Sequence, residues 1–142
     1  MTEQEQQITI AMAHGWTAEN IAAWKEVQTL LKEYRELRKR ESFSGWNIVD
    51  KIEAVKNQQT YIGDVPNYPQ DLNACHEVEK RIKEDDSLWD TYGRILIEVV
   101  MGKQWWEKPL ESSDFATVSH ANAEQRSEAI CRLIKETKCD LS

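Results

Sequence analysis

An uninterrupted helical pattern over residues 17–40 constrains this chain more than any other feature. No glycine or proline occurs in residues 18–40, and apolar side chains recur there every three or four positions. Thr17 can act as the N-cap, and basic residues in the last turns favour the negative end of the helix dipole. The run predicts a helix of about six turns, longer than most globular helices. Its apolar positions are Ile21, Trp24, Val27, Leu30, Leu31, Tyr34 and Leu37.

The same apolar period and several capping signals predict further helices. Thr2 with Glu5, and Asn122 with Gln125, have the spacing of capping boxes. We therefore expect a mainly α fold, a single domain over residues 1–142 built as a bundle of five or six helices with one long helix. The other predicted helices cover Thr2–His14, Trp46–Gln58, residues 70–84, Leu88–Met101 with Ser87 as N-cap, and a last helix that begins after Asn122.

An α+β fold is the alternative, because part of the chain also has β propensity. Ile95, Ile97, Val99 and Val100 are β-branched, so residues 94–100 can also be interpreted as a strand. A second strand over residues 114–118 would complete a small sheet. Between the helices, Thr60–Gln70 is predicted to be an irregular link, since it contains Gly63, Pro66 and Pro69. Its apolar residues, Tyr61, Ile62, Val65 and Tyr68, are expected to pin it to the core.

Charge argues against a nucleic-acid partner. The 142 residues carry a formal net charge of −7, with nine acidic and four basic residues between 64 and 98. The basic stretch, residues 32–40, is short, and an acidic chain repels phosphate groups. No apolar run approaches 18 residues, and the N-terminus lacks the order of a signal peptide. We expect a cytoplasmic protein that does not enter a membrane.

Motifs for catalysis or for a resident cofactor are not found in the sequence. It contains no phosphate-binding loop, dinucleotide fingerprint, zinc-protease motif or serine-hydrolase elbow. His76 and Glu79 lie three apart on a predicted helix, but a zinc ion would need further ligands, such as Asp71 or His120. The three cysteines form no C-x-x-C pair, and Cys75 and Cys131 lie on apolar stripes that predict buried thiols. We predict no catalytic residue, no metal site and no cofactor.

Two surfaces are candidates for binding a partner. Trp105 and Trp106 lie in a predicted loop with charged flanks, where tryptophan can act as an interface anchor. The acidic segment that would form the contact surface together with them contains Glu84, Asp85, Asp86 and Asp90. The long helix also offers an apolar face that can build a homodimer seam.

Two runs resemble a family of small phage and prophage proteins, described as phage ABA-sandwich domain or uncharacterised phage proteins. They are VPNYPQDLNACHEVEK, residues 65–80, and ANAEQRSEAICRLI, residues 121–134. The resemblance covers residues 61–138 and the start IAMAHGW, and residues 17–60 form a helical insertion. It implies a phage accessory gene and assigns no activity. The matching residues are Pro66, Tyr68, Asp71, Leu72, Asn73, Ala74, His76, Glu77, Glu79, Lys80, Gln125, Arg126, Glu128, Ala129 and Arg132.

The matched residues also have a physical interpretation. Asp71 or Gln70 can cap the helix that follows Pro69, and Tyr68 with Leu72 can staple it. Arg126 can pair with Glu77 or Glu79 across the two matched helices. The motif therefore indicates, in the first place, residues that stabilise the fold.

The favoured function is a non-enzymatic, phage-encoded protein that binds and inhibits a host protein. The host protein would be a bacterial defence component, such as a CRISPR effector. The alternative is a small-ligand-binding protein that sequesters a nucleotide immune signal. Its pocket would need cationic and aromatic side chains. The candidates for that pocket are Tyr68, Trp89, Tyr92, Arg94 and Arg126.

Overall fold

The fold follows from a computed structural model, which describes residues 1–40, 46–102 and 117–142, and of Trp46 only the backbone. The described chain is mainly helical, which confirms the predicted fold class. No helix of these residues is both long and apolar enough to cross a membrane. The helices with complete bounds are α1 (Glu3–Ala13), α2 (Ala18–Arg38), α3 (Trp46–Lys56), α4 (Leu72–Lys83), α5 (Asp86–Met101) and α6 (Ala123–Thr137).

The chain divides into two compact units. Unit 1 comprises Met1–Gly15 and Pro66–Ser142, and unit 2 comprises Trp16–Val65. The helical insertion predicted at residues 17–60 falls within unit 2.

Unit 1 is a bundle of α1, α4, α5 and α6, in which α6 contacts each of the other three helices. Ile130 and Leu133 of α6 are fully buried, as are Ile10 of α1 and Ile82 of α4. The segment after α6 returns to α1, where the Leu141 amide donates to the Ala13 carbonyl at 2.8 Å. This arrangement makes α6 the central helix of unit 1.

Unit 2 is a hairpin of α2 and α3. Its core consists of apolar side chains that are less than one-tenth exposed, and half-buried residues near the end of α2 pack against it. Asn20 ties the start of α2 to the segment after α3 by donating to the Thr60 carbonyl at 2.7 Å. The core residues are Ala23, Val27, Ile48, Ile52 and Val55.

Local capping chemistry explains most of the helix starts. The capping boxes of Thr2 with Glu5 and of Asn122 with Gln125 are both present, as predicted. Asp71, rather than Gln70, caps α4 by accepting from the amides of Asn73 and Ala74. These side chains satisfy backbone amides that have no partner within the helix.

The predicted helix over Leu88–Met101 is confirmed, but its predicted N-cap and the alternative of a strand are wrong. Asp85, not Ser87, is the N-cap, so the helix begins at Asp86; a carboxylate accepts more strongly from the first-turn amides than a hydroxyl does. Residues 94–100 are helical as part of α5, and the adjacent Ile95 and Leu96 both lie on its buried side. Residues 117–119 are also helical, and the rest of the alternative strand at 114–118 lies outside the described residues.

Several large apolar residues are exposed, among them Ile62 and Leu72, which were predicted to pack inward. The exposed fraction is 59% for Ile62, 41% for Leu72 and 39% for Trp89. Of the apolar residues predicted to pin the link, Val65 and Tyr68 are buried and Tyr61 is half-buried against the core of unit 2. Leu72 is the first residue of α4 and is exposed, so the proposed staple with Tyr68 does not form a buried pair.

Candidate functional site

A buried polar network joins three helices of unit 1 at one carboxylate. Glu79 of α4 accepts hydrogen bonds at Oε2 from Arg126 Nη1 of α6 at 2.7 Å and from the Tyr92 hydroxyl of α5 at 2.9 Å. All three residues are less than one-tenth exposed. Burial, with the negative charge of Glu79 beside it, raises the pKa of Tyr92 well above its usual value, so the phenol remains a donor.

Arg126 extends this network to the segment before α6. Its Nε donates to the Ala121 carbonyl and its Nη2 to the Ser119 carbonyl, each at 2.9 Å. The predicted pairing of Arg126 is therefore confirmed with Glu79. Glu77 instead forms an exposed pair with Lys80 at 2.8 Å. A buried ion pair is stable only with additional hydrogen bonds, and here each of the three guanidinium nitrogens donates one.

His76 completes the surroundings of the carboxylate. Its Nδ1 lies 2.9 Å from Glu79 Oε1, on the half-exposed side of α4. Both carboxylate oxygens thus have protein partners. Within the described ranges, no three side chains of histidine, cysteine, aspartate or glutamate are arranged to hold a metal ion. The His76–Glu79 pair is a contact between residues three apart on α4.

A shallow depression of about 350 Å³ lies above the network. Its rim is cationic and aromatic, unlike the acidic chain as a whole. The Lys83 ammonium lies 5.9 Å from the centre of the exposed Trp89 ring, within the range of a cation–π contact. The lining residues are His76, Glu79, Lys80, Lys83, Trp89 and Arg126.

The four acidic residues predicted to bind a partner surround the turn between α4 and α5, and all four are exposed. Three have partners within the chain. Glu84 pairs with Arg81 at 2.8 Å, Asp85 caps α5, and Asp90 pairs with Arg94 at 3.1 Å.

Asp86 differs from these acids, because it has neither an ion pair nor a side-chain hydrogen bond with any described residue. Asp86, Trp89 and Asp90 stand at positions i, i+3 and i+4 of α5, so they share one helix face. We call these three residues the Trp89 face. It places an unpaired carboxylate beside an exposed indole.

The ligand-binding set predicted from the sequence is only partly brought together. Trp89 and Arg126 line the depression, and Tyr92 packs against Trp89 with ring centres 5.7 Å apart. Tyr92 is nevertheless 1% exposed and bonded to Glu79, so it is closed to a ligand. Tyr68 is also 1% exposed, and Arg94 pairs with Asp90 on the surface. Neither lines the depression.

Burial of Tyr68 excludes it from ligand binding for a clear physical reason. Its hydroxyl has no hydrogen-bond partner among the described residues, and burial raises its pKa to about 12. The ring fills space beside Cys75, whose thiol donates to the Tyr68 carbonyl at 3.1 Å. The predicted anchors Trp105 and Trp106 lie outside the described residues.

Sequence reasoning missed two residues of the depression, Lys80 and Lys83. Their spacing from His76 and Glu79, four residues in each case, places each pair on one helix face. That spacing was the available signal. It could not show that α5 would place Trp89 over the same face.

Comparison of the chain with protein-family models, curated proteins and solved structures gives no match. The resemblance to small phage proteins therefore stays a prediction from the two runs in which it was found.

Proposed function

We propose that this chain is a non-enzymatic binding protein that inhibits a bacterial host protein by direct contact. The observation that carries this proposal is the Trp89 face, an exposed indole beside the exposed carboxylate of Asp86, which pairs with none of the described residues. Tryptophan is enriched among the residues that dominate binding energy at protein interfaces. The sequence resemblance to phage accessory proteins supports a host component, such as a defence protein, as the target.

Charge indicates the kind of surface that the Trp89 face would contact. Asp86 is free to accept from a lysine or arginine of the partner, and Asp90 can exchange its exposed pair with Arg94 for an intermolecular one. Exposed pairs of this kind contribute little to stability, so the exchange costs little. The partner surface is therefore expected to be basic, with an apolar recess for the indole.

The experiment measures retention of bacterial proteins on the immobilised full-length chain and on matched variants. Trp89→Ala should weaken capture of the specific partner ~30-fold, as expected for loss of about 2 kcal/mol at a hot spot. Asp86→Lys should also weaken it, and the loss should diminish at high salt. Asp50→Lys is the matched control, because Asp50 is an exposed helical acid of unit 2.

A second candidate function is the binding of a small anionic aromatic ligand, such as a nucleotide. The depression favours it, because Lys80, Lys83 and Trp89 present two cations and one ring around the same space. The phosphate groups of such a ligand would contact the lysines, and its base would stack on the indole.

Charge reversals separate the two candidate functions. Lys83→Glu should abolish nucleotide binding, measured by native mass spectrometry as loss of an adduct of a nucleotide's mass, and should leave capture of a basic protein intact. Asp86→Lys should weaken capture of the basic protein and leave nucleotide binding intact. Loss of protein capture with Lys83→Glu but not with Asp86→Lys would count against the Trp89 face.

A further inference from the structure

The hairpin of unit 2 leaves apolar side chains half-buried along its second half. Leu31 and Tyr34 of α2 pack on the core but keep part of their surface exposed. Val49 of α3 is also half-buried. Two helices can cover only one face of each other, so α2 and α3 by themselves leave apolar side chains that they do not cover.

These side chains form a groove of about 270 Å³ between α2 and α3. Leu31 and Tyr34 are three residues apart, as are Val49 and Ile52, so each helix contributes one turn to the groove. The remaining lining residues, Glu53 and Lys56, are exposed. The groove therefore has an apolar floor and a rim that carries one negative and one positive charge.

The two charges at the rim, on Glu53 and Lys56, indicate which charges a partner surface must present to this groove. Neither Glu53 nor Lys56 forms an ion pair with any residue that the structure describes. A wholly acidic or wholly basic partner would meet a like charge at one of them. In a two-fold interface, by contrast, residue i of one copy contacts residue j of the other, and the converse holds. A second copy of this chain thus places Glu53 against Lys56 twice.

We infer that this groove is a self-association surface, at which Leu31, Tyr34, Val49 and Ile52 of two copies pack together between reciprocal Glu53–Lys56 contacts. The resulting interface is an antiparallel arrangement of two hairpins. It belongs to unit 2, whereas the Trp89 face belongs to unit 1, so the two inferences can fail independently.

Mass measurement of the full-length chain over a concentration series tests this inference. The wild-type chain should convert from monomer to dimer as concentration rises. Glu53→Lys alone and Lys56→Glu alone should each raise the dimer dissociation constant about tenfold, because each variant places like charges together at two contacts. Both positions are exposed, so neither change removes a core contact. Lys51→Glu is the control on the same helix and should leave the dimer unchanged.

Two rescue experiments distinguish an interface from an effect within one helix. The double variant Glu53→Lys with Lys56→Glu should recover the wild-type dissociation constant. A mixture of the two single variants, one carrying a mass tag, should form mixed dimers in preference to either homodimer. A wild-type chain that stays monomeric throughout the series would overturn the inference. Mixed dimers that are no more abundant than homodimers would also overturn it.

Discussion

The two units differ in the kind of side chain that they bury. Unit 1 encloses a charged pair, Glu79 and Arg126, together with the Tyr92 hydroxyl that completes the carboxylate's hydrogen bonds. In the described part of unit 2, the buried side chains are apolar. A charged pair is stable inside a protein only when its partners meet in one geometry, whereas apolar contacts tolerate sliding.

The difference suggests a division of roles between the units. The network fixes how α4, α5 and α6 meet, and so it fixes where Trp89 stands on the surface. The described part of the hairpin has no buried charged pair, and Leu31, Tyr34 and Val49 of its apolar groove stay half-buried. We therefore expect unit 1 to be the unit that is sensitive to polar substitutions, and unit 2 to be the unit whose stability responds to association.

Removal of the buried guanidinium should give the largest effect. Arg126→Ala leaves the Glu79 carboxylate buried without its cation and leaves two carbonyls without a donor, so the free energy of unfolding of unit 1 should fall by about 3–5 kcal/mol. Urea unfolding followed by circular dichroism measures it. Arg132→Ala is the control, since its ion pairs are half-exposed at 3.6–3.8 Å and should contribute less than about 1 kcal/mol. Equal losses from both variants would contradict the account.

High pH should destabilise unit 1 by several kcal/mol and leave unit 2 less affected. Burial raises the pKa of Cys75 and of Cys131 from 9.0 to about 12, and that of Tyr68 from 10.0 to about 12. Because the folded pKa values exceed the unfolded ones, stability is complete below about pH 9 and is lost as the pH rises toward 12. All three cysteines lie in unit 1.

Alkaline unfolding can be followed by thiolate and tyrosinate absorbance together with helix content. Ionisation of Cys75 and Cys131 at pH 9 in a chain that keeps its full helix content would show that the thiols are accessible, contrary to their burial. Ionisation that coincides with partial loss of helix is the expected result.

Truncation of one isoleucine in each core tests how tightly the two units are packed. Ile130→Ala in unit 1 should cost about 4 kcal/mol, because Ile130 is fully buried among several helices that cannot close the cavity. Ile48→Ala in unit 2 should cost about 2 kcal/mol, since a two-helix hairpin can relax around the gap. Chemical denaturation compares them. A larger loss for Ile48→Ala would indicate that unit 2 is the more rigidly packed unit.

Removal of two equally buried tyrosine hydroxyls should give the smallest and most selective effects. Tyr92→Phe deprives Glu79 of one hydrogen bond and should lower the free energy of unfolding by about 1–2 kcal/mol. Tyr68→Phe removes a hydroxyl that lacks a described partner, and should be neutral or stabilise by up to ~1 kcal/mol. Thermal melting of both variants decides the point. Destabilisation by Tyr68→Phe as large as that by Tyr92→Phe would show that its hydroxyl is bonded.

Local signals in the sequence were sufficient to predict the helices and most of their starts. Thr2, Thr17 and Asn122 cap helices because their side chains act within four residues, a range that sequence spacing captures. The strand alternative at 94–100 was wrong because the β propensity of single residues depends on their packing context, and here the segment continues α5 from Asp86.

The site was less predictable, because it depends on how helices meet. The pairing of Arg126 with Glu79 was foreseen as one of two options, and only the register of α4 against α6 excludes Glu77. The exposure of Trp89 was not predicted. A helical period shows which residues share one face of a helix, but not which part of that face the other helices cover. Trp105 and Trp106 lie outside the described residues, so their predicted role as anchors stays a prediction.

The most direct test of the proposed function is site-specific photo-crosslinking in bacterial cells. A photoreactive amino acid is placed at Trp89 and, as a control, at Glu124, an exposed position on α6 of the same unit. The account predicts one host protein with a basic contact surface crosslinked from position 89, lost on addition of Asp86→Lys and not seen from position 124. The same crosslinks from both positions, or crosslinks from position 89 that Asp86→Lys leaves unchanged, would contradict it.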